Sequence, residues 1–311
     1  LIQARLRAGA TETEIRQAFD LVREKRILPS MRSLADDTPL PTPEGWKCVG
    51  DVVVGDFLFD RDGYQTRVIA VQKFDAIPLF DVHFSDGATL CASADHLWVT
   101  STLDDRIVGR ERTVTTRQIY QTLSQRSGDA RKYNHAIWNA APLMLPDTDL
   151  PLDPYILGLW LGDGFSHSGQ FACHRRDAEI PAAYATAGVK LATVLRSMGL
   201  RDNKHIPLVY LRGAEGQRLA LLQGLMDSDG HTTPEGRSCF SNTSKAILAG
   251  VAELLSSLGI KFTTTGPNRK EPHHKDGYEY RFFTKLPVHR LQRKRGRLRE
   301  DHRESNAYRT I

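Results

Sequence analysis

One apolar nonapeptide occurs twice in this sequence, and that repeat constrains the fold more than any other feature. ILGLWLGDG at residues 156–164 returns as LQGLMDSDG at 222–230, an offset of 66 residues. Each copy is followed by a short strand-like patch and then an amphipathic stretch, AAYATAGVKLATVLRSMG and SKAILAGVAELLSSLG. Each stretch ends at Gly, as helix C-termini often do. Two copies imply two similar modules, which pack most simply about a pseudo-twofold axis.

Each copy reads as a helix with Gly in its middle. Gly158 and Gly224 each cost roughly 1 kcal/mol relative to Ala. Such residues are tolerated where two backbones must approach closely. Leu157, Leu161, Leu222 and Met226 are placed to flank that seam. Packing the helices together brings Asp163 and Asp229 side by side at one end. Two close carboxylates repel unless a cation neutralises them. Mg²⁺ takes oxygen ligands and keeps waters, which suits phosphodiester cleavage.

This pattern resembles the two-motif LAGLIDADG homing endonucleases. The resemblance implies an α+β fold of two pseudo-symmetric αββαββα-like repeats that cuts double-stranded DNA as a monomer. It implies Asp163 and Asp229 as catalytic metal ligands for Mg²⁺. Asp227 matches the family's other acidic position, which Leu161 replaces in the first copy. NKHIP resembles the family's lysine block, which makes Lys204 the residue that stabilises charge on the scissile phosphate. FFTKLP offers Lys285 as its counterpart. RLQRKRGRLREDHR (290–303) reads as a basic tail available to phosphates. Arg237, Lys261, Arg269, Lys270 and Arg281 are candidates for DNA contact by charge. A fold of this kind that binds DNA without cutting it is the alternative.

Upstream the periodicity changes. VVVGDFLFD, RVIAVQKF, PLFDVHF and TLCASA are β-branched or aromatic runs, separated by the turn pairs Asp62-Gly63 and Asp86-Gly87. They predict a compact all-β unit. Residues 101–150 read as polar and irregular, and Pro142, Pro146, Pro151 and Pro154 mark a boundary near 150.

SLADDT, from Ser33, and GATLCASADHLWVT resemble the first two blocks of an intein. The resemblance implies an all-β Hint fold that splices proteins. Ser33 is then the nucleophile that attacks the carbonyl of Arg32 in an N-to-O acyl shift. His96 protonates the departing nitrogen, and Ser93 polarises or holds the amide. No His-Asn block before a Cys, Ser or Thr follows, so the Hint fold is expected to be incomplete at its C-terminus. A Hint protein that cleaves itself without splicing is the rival reading. EKRILPSMR (24–32) resembles a ribonucleotide reductase segment and implies a host fragment acting in cis, with Thr11 and Glu14 capping a helix ahead of it.

The expected division is therefore 1–32 host fragment, 33–150 Hint domain and linker, 151–290 endonuclease, and 291–311 basic tail leading to a missing splicing segment. The 311 residues exceed what a single core usually spans. A formal net charge of +5 permits a nucleic-acid partner. The start lacks both Met and a long apolar run, which reads as an internal excerpt without a signal peptide. Cys48, Cys91, Cys173 and Cys239 stand singly, so neither a zinc site nor a disulfide framework is expected, and the cytoplasm is the expected compartment.

Overall fold

The computed structural model describes residues 6–7, 33–74, 79–127, 130–170, 177, 179–180, 191–268, 276–298 and 307–311. The expected helix from Thr11, the reductase-like segment, and the candidates Arg269 and Lys270 lie outside the described residues. The chain divides into two compact units, Leu1–Ala141 with Ala307–Ile311, and Pro142–Asn306. Among the described residues, no helix is long and apolar enough to cross a membrane.

The first unit is built from short antiparallel pairs. Strand β1 (Leu6–Arg7) lies beside β5 (Gln65–Arg67), which also pairs with β4 (Phe57–Phe59). Strands β2 (Pro39–Thr42) and β3 (Gly45–Cys48) form one hairpin, and β6 (Leu79–His83) and β7 (Thr89–Ser93) another. The turn between β4 and β5 contains Asp62-Gly63, and that between β6 and β7 contains Asp86-Gly87, as the sequence predicts. Strand β8 (Leu97–Thr100) pairs with β9 (Arg112–Thr115), and β10 (Ser124–Ser127) with β11 (Ala130–Tyr133). One apolar cluster gathers Val82, Phe84, Ala92, Trp98, Ile119 and Ile311; a smaller one gathers Val52, Leu58 and Val68.

Residues 101–150 are not irregular. Helices α1 (Leu103–Ile107) and α2 (Thr116–Gln121) each begin with a capping box, Thr102 with Asp105 and Thr115 with Gln118. The polar residues that suggest a loop are the ones that satisfy the helix starts. Asp105 is fully buried and accepts hydrogen bonds from Arg110, Arg112 and Thr102, with the Arg112 guanidinium first in holding its carboxyl below the usual range. Strand β12 (Ala136–Trp138) pairs with a late strand, β17 (Tyr308–Thr310), so the end of the described chain returns to this unit.

The second unit has a single large core. Helices α3 (Pro154–Asp163) and α6 (Glu215–Ser228) cross at its centre, with α4 (Leu191–Ser197), α5 (Leu208–Leu211) and α7 (Lys245–Ser257) around them. Strands β13 (Gly230–Thr232), β14 (Ser238–Asn242), β15 (Phe262–Asn268) and β16 (Gly277–Phe282) form an antiparallel sheet in the order β13-β14-β16-β15. With α8 (Gln292–Arg295), residues 215–295 run helix, two strands, helix, two strands, helix.

The unit begins at Pro142 rather than near 150, and hydrogen bonding explains why. The Leu143 amide donates to the Ser257 carbonyl. Fully buried Arg218 donates to the carbonyls of Leu143, Ser257 and Gly213, and Gln217 bonds both the amide and the carbonyl of Thr148. The proline-rich stretch is therefore anchored to the second unit as part of it.

Candidate active site

The glycines of the repeat are required by geometry. A Cβ on Gly158 would lie 2.4 Å from the Leu221 carbonyl oxygen, and one on Gly224 would lie 2.2 Å from that of Tyr155. Carbon cannot approach oxygen so closely, so the helices cross backbone against backbone. Leu157, Leu161, Leu222 and Met226 are all buried along this seam. Helix α3 starts at an Asp153 cap with Pro154 at its first position, both standard starts.

The crossing delivers Asp163, the last residue of α3, and Asp229, the cap that follows α6, to one place. A Cβ on Gly162 would lie 3.3 Å from the Asp229 carboxyl carbon. Asp163 is exposed and Asp229 is half-buried. Asn242 on β14 donates to Asp229 at 2.9 Å and fixes its orientation. Burial pushes the Asp229 carboxyl up to about 6, and the nearby charge of Asp163 adds to the rise. Desolvation also raises Asp163, against the opposing charges of Lys294 and Lys204.

Lys204 reaches the site by a different contact from the one expected. Its Nζ lies 3.0 Å from the Leu161 carbonyl oxygen, 3.3 Å from that of Gly162 and 2.7 Å from that of Gly164, and 4.9 Å from the centre of the Trp160 ring. An ammonium has three N–H donors, and these carbonyls engage them. Lys204 thus closes the end of α3, where a cation also complements the helix dipole. Its influence on a phosphate would come through its charge and through the helix end it holds.

The counterpart of Lys204 is Lys294, not Lys285. Lys285 is exposed. Lys294 is buried and donates to the carbonyls of Met226, Asp227 and Gly230, with Ser228 at 3.5 Å. Asp227, Ser228 and Gly230 are the repeat equivalents of Leu161, Gly162 and Gly164. Both lysines are lowered by burial, with aspartate charges opposing the shift. The KLP of Lys285 looks like the KHIP of Lys204, and that likeness misdirects the sequence reading. No local pattern marks Lys294 inside its run of cations.

Several residues of the described part of the basic tail are held by the fold. Leu291 enters the core and Lys294 caps α6. Arg293 makes a bidentate pair with Asp177, and Arg290 lies 4.2 Å from the centre of the Tyr155 ring. Of the charged DNA candidates, Arg237 is exposed, Lys261 is half-buried, and Arg281 is paired with Glu279. Asp227 is buried and accepts from His289 Nδ1, the Tyr155 hydroxyl and the amides of Arg290 and Leu291. Its oxygens are thus committed to holding this segment against α6. His289 and Tyr155 were not among the sequence candidates.

The first unit assembles a second candidate site. Ser33 pairs with the end of β7: its N–H donates to Ser93 Oγ at 3.0 Å, and its carbonyl accepts from the Ser93 amide at 2.9 Å. That N–H belongs to the Arg32–Ser33 peptide. Leu34 bridges Ala92, and the Ala35 amide donates to the Cys91 carbonyl. The His96 amide closes a turn onto the Ser93 carbonyl at 3.1 Å. The His96 ring lies edge-on to Trp98, and its Nδ1 is buried without a hydrogen-bond partner among the described residues. Burial pulls His96 down to about 4, so the ring is neutral at neutral pH and offers one N–H. Asn134 and His135 are buried in hydrogen bonds to Thr122, Thr100 and the Leu103 amide.

Residues 216–296 match the family of LAGLIDADG-like domains. A replicative DNA helicase DnaB of Mycobacterium intracellulare is 39% identical over 287 residues, covering 85% of this chain and 49% of that protein. The chain thus spans about half the length of this curated relative. The relative is a helicase, so the reductase resemblance of residues 24–32 is not supported. Among solved structures, the Msm DnaB1 intein splicing domain bound with zinc is 51% identical over 22% of this chain and 54% of that one, with a TM-score of 0.21. Mesophilic variants of the homing endonuclease I-DmoI are 16% identical over 47% of this chain and 86% of that one, with a TM-score of 0.28.

Proposed function

We propose that this chain is an intein whose first unit performs Hint-type protein splicing and whose second unit is a LAGLIDADG homing endonuclease. The observation that carries the reading is the seating of Asp163 and Asp229 at adjoining helix ends, each backed by a lysine on equivalent carbonyls. The match of residues 216–296 to LAGLIDADG-like domains supports it.

The donor set fits a hard divalent cation. Asp229 is raised to about 6 with the charge of Asp163 among the causes, and a cation between two such carboxylates relieves both burial and repulsion. Asp163 and Asp229 would hold Mg²⁺, which supplies charge neutralisation and a more acidic bound water for phosphodiester hydrolysis. The chain's own contribution is positional. Asn242 fixes Asp229, Lys204 and Lys294 hold the two helix ends, and their charges favour an approaching phosphate. The substrate is double-stranded DNA at the uninterrupted host-gene site, bound by a monomer.

In the first unit, Ser33 Oγ attacks the Arg32 carbonyl carbon. The C–N bond breaks, an ester forms, and the freed nitrogen takes the proton that the hydroxyl gives up. Ser93 Oγ accepts the N–H of that peptide and holds it in register. His96, half-buried and kept neutral by desolvation, is the proton shuttle for the departing nitrogen. The host protein in cis is a replicative helicase of the DnaB kind, as the named relative supports.

Two incubations test the reading. With Mg²⁺ and a plasmid carrying the uninterrupted helicase-gene site, a double-strand cut at that site is expected, and an intact plasmid overturns the endonuclease. With hydroxylamine, cleavage between Arg32 and Ser33 is expected and should vanish in Ser33→Ala. Unchanged cleavage in that variant overturns the acyl shift.

A further inference from the structure

The sheet of the second unit carries a cluster that the paired aspartates do not use. His231 on β13 and Cys239 on β14 are directly paired residues. On β16, Arg281 is in register with Cys239 and Glu279 with Ser241, so Glu279 is the diagonal neighbour of Cys239. One ligand atom from each of His231, Cys239 and Glu279 lies within 4.8 Å of the others. Phe240, Tyr280 and Phe282, which alternate with them, belong to the core. Strand alternation therefore puts the three ligand-type side chains on the face away from the helices.

The donors are an imidazole nitrogen, a cysteine sulfur that gives up its proton on binding a metal, and a carboxylate oxygen. That mixed set selects a borderline ion such as Zn²⁺ over Mg²⁺. Tetrahedral bonds of roughly 2.0–2.3 Å need donors about 3.3–3.8 Å apart. Side-chain rotations that move the donors by about 1 Å close the present spread. Glu279 now pairs with Arg281, whose side chain is 40% exposed, and accepts from the hydroxyl of exposed Ser241, so exchanging these solvent-facing partners for a metal costs little. Three protein ligands leave a fourth position for water. The site is invisible to cysteine spacing because its ligands come from three strands.

We propose that His231, Cys239 and Glu279 bind a zinc-class divalent ion on the outer face of the β13–β16 sheet, separately from Asp163 and Asp229. The test titrates the full chain with Co²⁺ and then Zn²⁺. A thiolate-to-cobalt charge-transfer band should appear at one equivalent, bleach with Zn²⁺, and be absent in Cys239→Ser. The band should persist in Cys91→Ser and Asp163→Asn. Because Cys239 is buried, the exposed ligand provides an independent arm. Competition with a chromogenic chelator should show zinc affinity falling by more than about tenfold in His231→Ala and in Glu279→Gln. A band that survives Cys239→Ser, or an unchanged zinc affinity in His231→Ala, overturns the proposal.

Discussion

The two units prepare reactive groups in opposite ways. Around Ser33 the groups are neutral: a buried hydroxyl on a peptide N–H, and an imidazole that burial keeps uncharged. Around Asp163 and Asp229 they are charged: two carboxylates, with Lys204 and Lys294 beside them. On the proposed reading, the difference follows from the bonds addressed. Rearranging a peptide requires a held amide and a proton shuttle, which a desolvated strand edge can provide. Cutting a phosphodiester requires charge compensation, which converging helix ends provide. The neutral site is built from hairpins with small apolar clusters, whereas the charged site stands on the large core under crossed helices.

The strongest way to break the comparison is to part the helices. Gly224→Val puts carbon into the Tyr155 carbonyl and should cost about 3 kcal/mol or more, with loss of DNA cutting and a lower denaturation midpoint. Cleavage at Arg32–Ser33, read by hydroxylamine, should persist wherever the first unit remains folded. Next in size is Lys294→Met, which leaves a buried helix end without its donor and should cost about 2–3 kcal/mol by chemical denaturation. Lys285→Met should change stability by less than about 0.5 kcal/mol. Equal effects of the two would erase the symmetry between Lys204 and Lys294.

The same acid range should pull the two sites in opposite directions. His96 falls from its ordinary 6.5 to about 4, so the unfolded chain takes the proton first. Its contribution to stability is present above pH 6.5 and is lost as pH falls toward 4. Asp229 rises from 3.8 to about 6, so the folded chain takes the proton first, and this term adds stability as pH falls from 6 toward 4. His96→Gln and Asp229→Asn should therefore remove slopes of opposite sign, each worth about 1–2 kcal/mol after allowance for solvent screening. Denaturation midpoints from pH 4 to 7.5 read this directly. Asp229→Asn should be the more stable protein at pH 7.

Much of this was legible in the sequence where one residue type alone satisfies a constraint. The mid-helix glycines announced the seam, and the acids ahead of Gly164 and Gly230 announced the pair. Asp-Gly turns marked the hairpins, and Ser33, Ser93 and His96 sat in two blocks that the fold joins at Ser93, which bonds Ser33 on one side and the His96 amide on the other. What was hidden depended on partners far away in the chain. Lys294 looks like any cation in its run until the carbonyls of α6 meet it. Arg290 and Arg293 read as free charge until Tyr155 and Asp177 engage them. The proline-rich stretch from 142 reads as a linker until Arg218 binds it.

The most direct measurement compares the full chain with Asp163→Asn and Asp229→Asn on the same plasmid site in Mg²⁺, with DNA binding followed by mobility shift. Double-strand cutting by the parent, at least about 100-fold slower cutting by each variant, and binding retained by all three are expected. Cutting by either variant at the parent's rate would contradict the role of the paired aspartates.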